Sequence, residues 1–103
     1  MWALWQMGCA WCTRHFIEHY WFTGGREFLK NRAYPILRDA SLFLLDWLVE
    51  NPRTHKLVSG PSASPENTFF GPDGKPHSVA MGNSMDQEVA WDTLNNFLLA
   101  SRE

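Results

Sequence analysis

One helix that is apolar on two opposite sides restricts the possible folds of this chain more than any other feature. The pattern from Ala33 to Glu50 predicts a helix, and Leu42, Leu45 and Val49 lie nearly opposite its main apolar stripe. A helix with two apolar sides is normally buried between two layers, so this one needs more neighbours than a lone hairpin supplies. The main stripe consists of Ile36, Leu37, Ala40, Phe43, Leu44, Trp47 and Leu48.

Two further helices are predicted on either side of this one. The first runs from about Ala10 to Phe22, and the two glycines in the following TGGRE suit a helix end. The last runs from about Ser84 to Ala100, with Ser84 or Asp86 able to cap or charge its first turn. At 103 residues the chain is one domain or less. The expected fold class is all-α, with three main helices and a long ordered loop.

The long loop covers residues 51–83 and contains five of the six prolines. Connections of this length in compact proteins are usually functional or disordered. Apolar side chains favour order, because a disordered linker lacks such anchors. The pieces KLVSG and HSVAMG are compatible with extended structure, so part of the loop could form a hairpin. The apolar anchors are Leu57, Val58, Phe69, Phe70 and Val79.

Charge and hydropathy argue against several partner classes. The net charge is -2 with both signs interspersed, so no basic field is present to attract nucleic acid. No apolar run is long enough to cross a bilayer, and the first residues lack the charged start of a signal peptide. The chain taken alone is therefore expected to be soluble and untargeted, with no nucleic-acid or membrane partner and no cofactor.

Cys9 and Cys12 form a C-x-x-C pair, which is compatible with a redox pair or with half of a zinc site. A redox C-x-x-C pair follows a strand, but no strand is predicted before Cys9. A zinc ribbon needs a second C-x-x-C pair, which the sequence lacks. Buried or incidental thiols are the favoured interpretation.

Residues 15–19 read HFIEH, which matches the H-x-x-E-H motif of inverted zinc peptidases. His15 and His19 share a helix face and could hold zinc, with Glu18 as base, Cys12 as a further ligand and Glu88 as the ligand from a later helix. The alternative is a polar helix face, which is favoured because so short a pattern recurs by chance.

Glu66 lies within GPSASPENTFF, in a stretch with few helix formers. Pro65 restrains the chain before it, and Asn67 and Thr68 offer hydrogen-bonding groups beside it. Desolvation can raise the pKa of a carboxylic acid on an ordered loop, which suits a general acid. The alternative is a solvated loop residue.

The six tryptophans admit two interpretations. Four of them fall on predicted helices, where core packing is expected. Trp2 and Trp5 precede the first helix, and an exposed indole there could stack on a sugar ring; core packing is the alternative.

Several motifs together resemble an internal stretch of the glycoside hydrolase family 95 α-L-fucosidases, over nearly all of this chain. They are GxAW, EHYxFTG, AYP, FxLDWLVE and GPSxSPEN, in this order and spacing. The resemblance implies an (α/α)6 barrel, of which this chain supplies about one and a half hairpins. It also implies that HFIEH belongs to a barrel helix.

The resemblance further implies inverting hydrolysis of terminal α-L-fucosides, with Glu66 as the general acid. Asn67 and Ser64 would shape the acid loop, and Trp5 or Trp2 would lie near the sugar pocket. The catalytic base is an aspartate in a later segment of the family, so the chain is expected to be inactive alone. Its partners would be a fucosylated glycan substrate and the remainder of the barrel domain. Parents of this kind are commonly secreted or periplasmic.

Two other function classes remain open from the sequence. One is a non-catalytic helical fragment that merely keeps the family sequence. The other is a zinc-binding helical module built on Cys12, His15 and His19.

Overall fold

The computed structural model describes residues 5–64 and 67–103, and this part of the chain is predominantly helical. The prediction of an all-α chain with three main helices is confirmed. The long helices are α2 (Arg14–Thr23), α4 (Tyr34–Trp47) and α5 (Ser84–Ala100). The shorter pieces are α1 (Gly8–Cys12) and α3 (Arg26–Phe28), and α3 continues into a π-helical turn at Leu29–Ala33. Within the described ranges, no helix is both long and apolar enough to cross a bilayer.

Local sequence signals explain where α2 ends and how α4 begins. Gly24 follows α2 with a left-handed φ of 65°, and its N–H donates to the Tyr20 carbonyl at 2.7 Å. Glycine adopts this conformation without a Cβ penalty, so the helix stops here. Pro35 lies in the first turn of α4, where its missing N–H is not needed.

The other ends of α4 and α5 differ from the sequence prediction. Helix α4 stops at Trp47, before the predicted end at Glu50, because Leu48 is extended and the next residues pair as a strand. Helix α5 is capped by Asn83 and not by Ser84 or Asp86; the Asn83 Oδ1 accepts from the Asp86 N–H at 3.0 Å. Asp86 does lie in the first turn as its acidic residue, which the sequence predicted as the other possibility.

The long loop contains three short antiparallel strand pairs. Strand β1 (Val49–Glu50) pairs with β2 (Leu57–Val58) directly after α4. Two further pairs follow within residues 62–64 and 67–80, which we call the arm. Its outer pair is β3 (Ser62–Ala63) with β6 (Val79–Ala80), and its inner pair is β4 (Phe69–Phe70) with β5 (Pro76–His77).

The core consists of two apolar clusters, and α4 and α5 contribute to both. Leu44 packs with Val89 in one cluster, and Leu37 packs with Ala100 in the other. The chain measures 53 × 29 × 18 Å, so its thinnest dimension holds about two layers of helices.

The second apolar side of α4 is not covered by residues 5–64 and 67–103. Leu42 is 54% exposed and Leu45 is 58% exposed, whereas Leu44 between them is fully buried. Burial on both sides, which the sequence pattern predicts, is therefore not met by the described residues alone.

Candidate functional site

The segment that carries the predicted acid interrupts the arm. Ala63 pairs with Val79, and the next paired residues are Phe69 and His77. Residues 64–68 therefore lie between two paired positions of one strand, whereas Ser78 alone separates the corresponding positions of the other. The described residues of this segment, Ser64, Asn67 and Thr68, form no strand and lie in a loop between β3 and β4. Glu66 belongs to this segment in sequence, but it lies outside the described residues.

Ser64 and Asn67 lie close together at the two described ends of this loop. The Asn67 N–H donates to the Ser64 carbonyl at 3.2 Å, and the Asn67 Nδ2 is 3.5 Å from the Ser64 Oγ. Asn67 is exposed and Ser64 is half-buried. This contact holds Ser64 and Asn67 next to each other.

A small cavity of about 110 Å³ lies beside this loop. Most of its lining side chains are polar, and several carry hydroxyl or amide groups. No carboxylate lines it among the residues that the structure describes. The lining residues are Ser62, Ser64, Asn67, Thr68, Phe69, Ser78, Ala80 and Asn83.

The segment that leads into the arm is held against the first turns of α5. The Gln87 side chain accepts from the Ser59 N–H at 2.8 Å and donates to the Leu57 carbonyl at 3.2 Å. The Gly82 N–H donates to the Ser59 carbonyl at 2.7 Å. Gly60 has a φ of 122°, and a Cβ there would lie 3.0 Å from the Ala80 carbonyl oxygen. Glycine at position 60 is therefore needed both for its backbone conformation and for its close contact with the opposite strand.

Trp5 lies on the other side of the α5 N-terminus. Its indole Nε1 donates to the Asp86 Oδ1 at 3.1 Å, and its ring meets Trp11 edge to face at a centroid distance of 5.7 Å. Trp5 is half-buried, so part of its surface is accessible. Trp2, the other tryptophan predicted near a sugar, lies outside the described residues.

Asp86 and Asn83 are polar residues at this place that sequence reasoning did not single out as site residues. Asp86 is fully buried, and Asn83 both caps α5 and lines the cavity. The sequence indicated only that Asp86 could charge a first turn. Its contact with Trp5 joins residues 81 positions apart, and helix periodicity carries no information about such a pair.

Asp73 lies on the exposed turn at the tip of the arm. The His77 Nε2 is 2.9 Å from the Asp73 Oδ1, and the Lys75 N–H also donates to this carboxylate. The hydrogen bond from His77, followed by that from the Lys75 backbone, lowers the pKa of Asp73 below its ordinary value of 3.8.

Helix α2, which carries HFIEH, contacts neighbouring helices. Arg14 donates to Glu18 at 2.8 Å and to Asp92 of α5 at 2.7 Å, and its guanidinium lies 5.4 Å from the centre of the Trp21 ring. The hydrogen bond to Glu18 is the largest cause that raises the pKa of Arg14 above its ordinary value. His19 packs on Phe28 with a centroid distance of 4.1 Å.

The predicted zinc ligands do not come together. Across residues 5–64 and 67–103, no group of three His, Cys, Asp or Glu side chains is placed to hold a metal ion. Cys9 and Cys12 are free and exposed, so of the expected buried or incidental thiols the buried alternative is wrong.

Comparisons with known proteins point in one direction. The family described as "Glycosyl hydrolase family 95 catalytic domain" matches residues 1–103. "Alpha-L-fucosidase 2" of Arabidopsis thaliana is 43% identical over 101 residues, which cover 98% of this chain and 12% of that protein. "Probable alpha-fucosidase A" of Aspergillus niger is 28% identical over 99 residues, which cover 94% of this chain and 12% of that protein. The chain thus spans about an eighth of the length of these relatives.

Proposed function

The chain belongs to the glycosyl hydrolase family 95 catalytic domain family, and from this membership we propose that it supplies the general acid of an α-L-fucosidase-type hydrolase. The observation that carries the proposal is the family match over residues 1–103, which includes the SPEN motif around Glu66. The similarity to the Arabidopsis "Alpha-L-fucosidase 2" supports a terminal α-L-fucoside as the substrate. An α-L-galactoside is the nearest alternative, because it differs from the fucoside by one hydroxyl group.

In the proposed reaction, the Glu66 carboxylic acid donates its proton to the glycosidic oxygen as the bond to the sugar breaks. A water molecule attacks the anomeric carbon from the opposite face, and this inverts the configuration. Protonation stabilises the leaving oxygen, which would otherwise depart as a costly alkoxide.

The loop and cavity geometry supports this role. Ser64 and Asn67 lie on either side of Glu66 in sequence, contact each other, and line a small cavity whose other side chains include several hydroxyl and amide groups. A proton donor needs a fixed position relative to the scissile oxygen. The hydrogen bonds of Gln87 to Leu57 and Ser59, just before the arm, would contribute to it.

The second carboxylate is proposed to come from outside this chain. An inverting hydrolase holds its base about 6.5–9.5 Å from its acid, with room for the water between them. None of the described carboxylates lines the cavity. We therefore expect the 103-residue chain to lack activity alone.

The rest of the domain is the proposed partner that covers the outer side of α4. Leu42 and Leu45 are exposed on a two-layered chain, and an inner helix of an (α/α)6 barrel would contact a further layer at this position. The chain would then supply about one and a half hairpins of the barrel.

The proposal can be tested in a graft in which this chain replaces the matching segment of the Arabidopsis relative. We expect the graft to hydrolyse α-L-fucosides and Glu66→Gln to lower kcat by about 100-fold or more, with little change in KM. The matched control is Glu88→Gln, which neutralises an exposed glutamate on α5 and should leave kcat unchanged. A folded graft without activity, or equal activity of the two variants, would contradict the proposal.

A further inference from the structure

We propose that Asp86 is a positioning residue that fixes the orientation of the Trp5 indole for sugar binding. The inference deepens the proposed function and rests on it, because Trp5 is taken to lie at the sugar pocket. Asp86 itself does not touch the substrate in this account; it acts through Trp5.

Asp86 is buried beside the Trp5 indole. Its side chain has no exposed surface, although it is an ionisable carboxylate in the first turn of α5. A buried carboxylate is unfavourable unless hydrogen bonds replace its lost water. The Asp86 Oδ1 accepts a hydrogen bond from the Trp5 indole, whereas the Asp86 Oδ2 has no hydrogen-bond partner among the described residues. A purely apolar contact with Trp5 would not require an acid here.

The hydrogen bond from Trp5 to Asp86 determines how the indole is oriented. Indole has one polar atom, and here its N–H points to the Asp86 Oδ1 at 3.1 Å. The ring is also held by Trp11, whose plane is inclined by 65°, and by the apolar cluster around Met7 and Leu44. With the N–H engaged, the half-buried ring keeps one edge towards α5 and a fixed part of its surface towards solvent.

Asp86 contacts both Trp5 and a residue of the cavity beside Ser64 and Asn67. Its backbone N–H donates to Asn83, which lines the cavity together with Ser64 and Asn67. The next residue, Gln87, accepts from the Ser59 N–H in the segment that leads into the arm. One turn of α5 therefore connects both candidate parts of the site and would maintain the distance between the sugar-binding indole and the acid loop.

The test compares Asp86→Leu, which removes the acceptor, with Asp86→Asn, which keeps an Oδ1 acceptor at the same place. In the graft, we expect Asp86→Leu to raise KM for the fucoside about tenfold while kcat stays within about threefold, since the chemical step retains Glu66. Asp86→Asn should restore KM to near the unsubstituted value. Trp5→Phe should raise KM to a similar extent, and the double variant Trp5→Phe with Asp86→Leu should be no worse than either single variant.

The same experiment contains the results that would overturn the inference. If the effects of the two single variants on KM multiply, Asp86 does not act through Trp5. If Asp86→Asn and Asp86→Leu lower activity equally with KM unchanged, Asp86 has only a structural role.

The contact can also be measured without catalysis, by NMR of the 103-residue chain with ¹⁵N-labelled tryptophan. The Trp5 indole N–H should exchange slowly with solvent, and Asp86→Leu should make it exchange rapidly and shift its resonance. A fast-exchanging Trp5 N–H in the unsubstituted chain would overturn the inference whatever the graft does. Failure of the proposed function would appear separately, as a graft that is inactive or indifferent to Glu66→Gln.

Discussion

Asp73 and Asp86 follow Glu66 in the sequence and have opposite surroundings. Asp86 is fully buried and receives the Trp5 N–H, so it has no surface on which to activate a water molecule. Asp73 is exposed at the tip of the arm, where it is engaged by His77 and by the backbone of Lys75. Neither environment suits the second carboxylate of an inverting hydrolase, which must face both the water and the sugar.

His77 is predicted to hold the pKa of Asp73 below 3.8, and His77→Gln should bring this pKa back towards that value. A lowered pKa means that folding favours the charged carboxylate. The pair therefore stabilises the turn above the ordinary pKa, and this contribution is lost as the pH falls through the lowered value. NMR titration of the Asp73 carboxyl carbon measures this pKa.

The matched control for the Asp73 prediction is His55→Gln. This variant breaks the separate pair of His55 with Glu50 and should leave the Asp73 titration unchanged. An unchanged Asp73 pKa in His77→Gln would contradict the assignment.

At the level of the elements, α4 combines a buried side with an exposed apolar side. Leu37, Ser41 and Leu44 are buried against the rest of the chain. On the other side, leucines 42 and 45 face solvent. Exposed apolar patches of this kind mark surfaces that are covered in a larger assembly. The proposed cover is the remainder of the barrel domain.

Two adjacent leucines of α4 separate these surfaces experimentally. Leu44→Ala should destabilise the 103-residue chain by about 2–5 kcal/mol, because it opens a cavity in the core. Leu45→Ala should cost less than about 0.5 kcal/mol in the same chain, since its side chain is exposed. In the graft, both substitutions should lower the free energy of unfolding if the missing domain covers Leu45. Urea unfolding of both proteins measures the difference, and a harmless Leu45→Ala in the graft would refute the proposed cover.

For the whole molecule, the sequence predicted the features that depend on neighbouring residues. Gly24 ends α2 and Pro35 starts α4 because backbone conformation and missing donors act locally. The end of α4 at Trp47 was not predicted, since it depends on pairing of Val49–Glu50 with a strand further along the chain.

The candidate site was predictable only in part, for the same physical reason. The resemblance singled out Ser64 and Asn67, and the structure brings them into contact. It did not single out Asp86, whose role depends on an indole 81 residues away and on burial that its charge argues against. Glu66 lies outside the described residues, and its role as general acid is a proposal.

The most direct test of the proposed proton donation compares two leaving groups in the graft. The sugar alcohol that leaves from a fucosylated oligosaccharide would depart as an alkoxide, so it needs a proton. The dinitrophenolate that leaves from a dinitrophenyl fucoside is a stable anion and needs little protonation. We predict that Glu66→Gln lowers kcat about 100-fold or more on the oligosaccharide and less than about tenfold on the dinitrophenyl substrate. Equal losses on the two substrates would show that Glu66 does not donate the proton and would contradict this account.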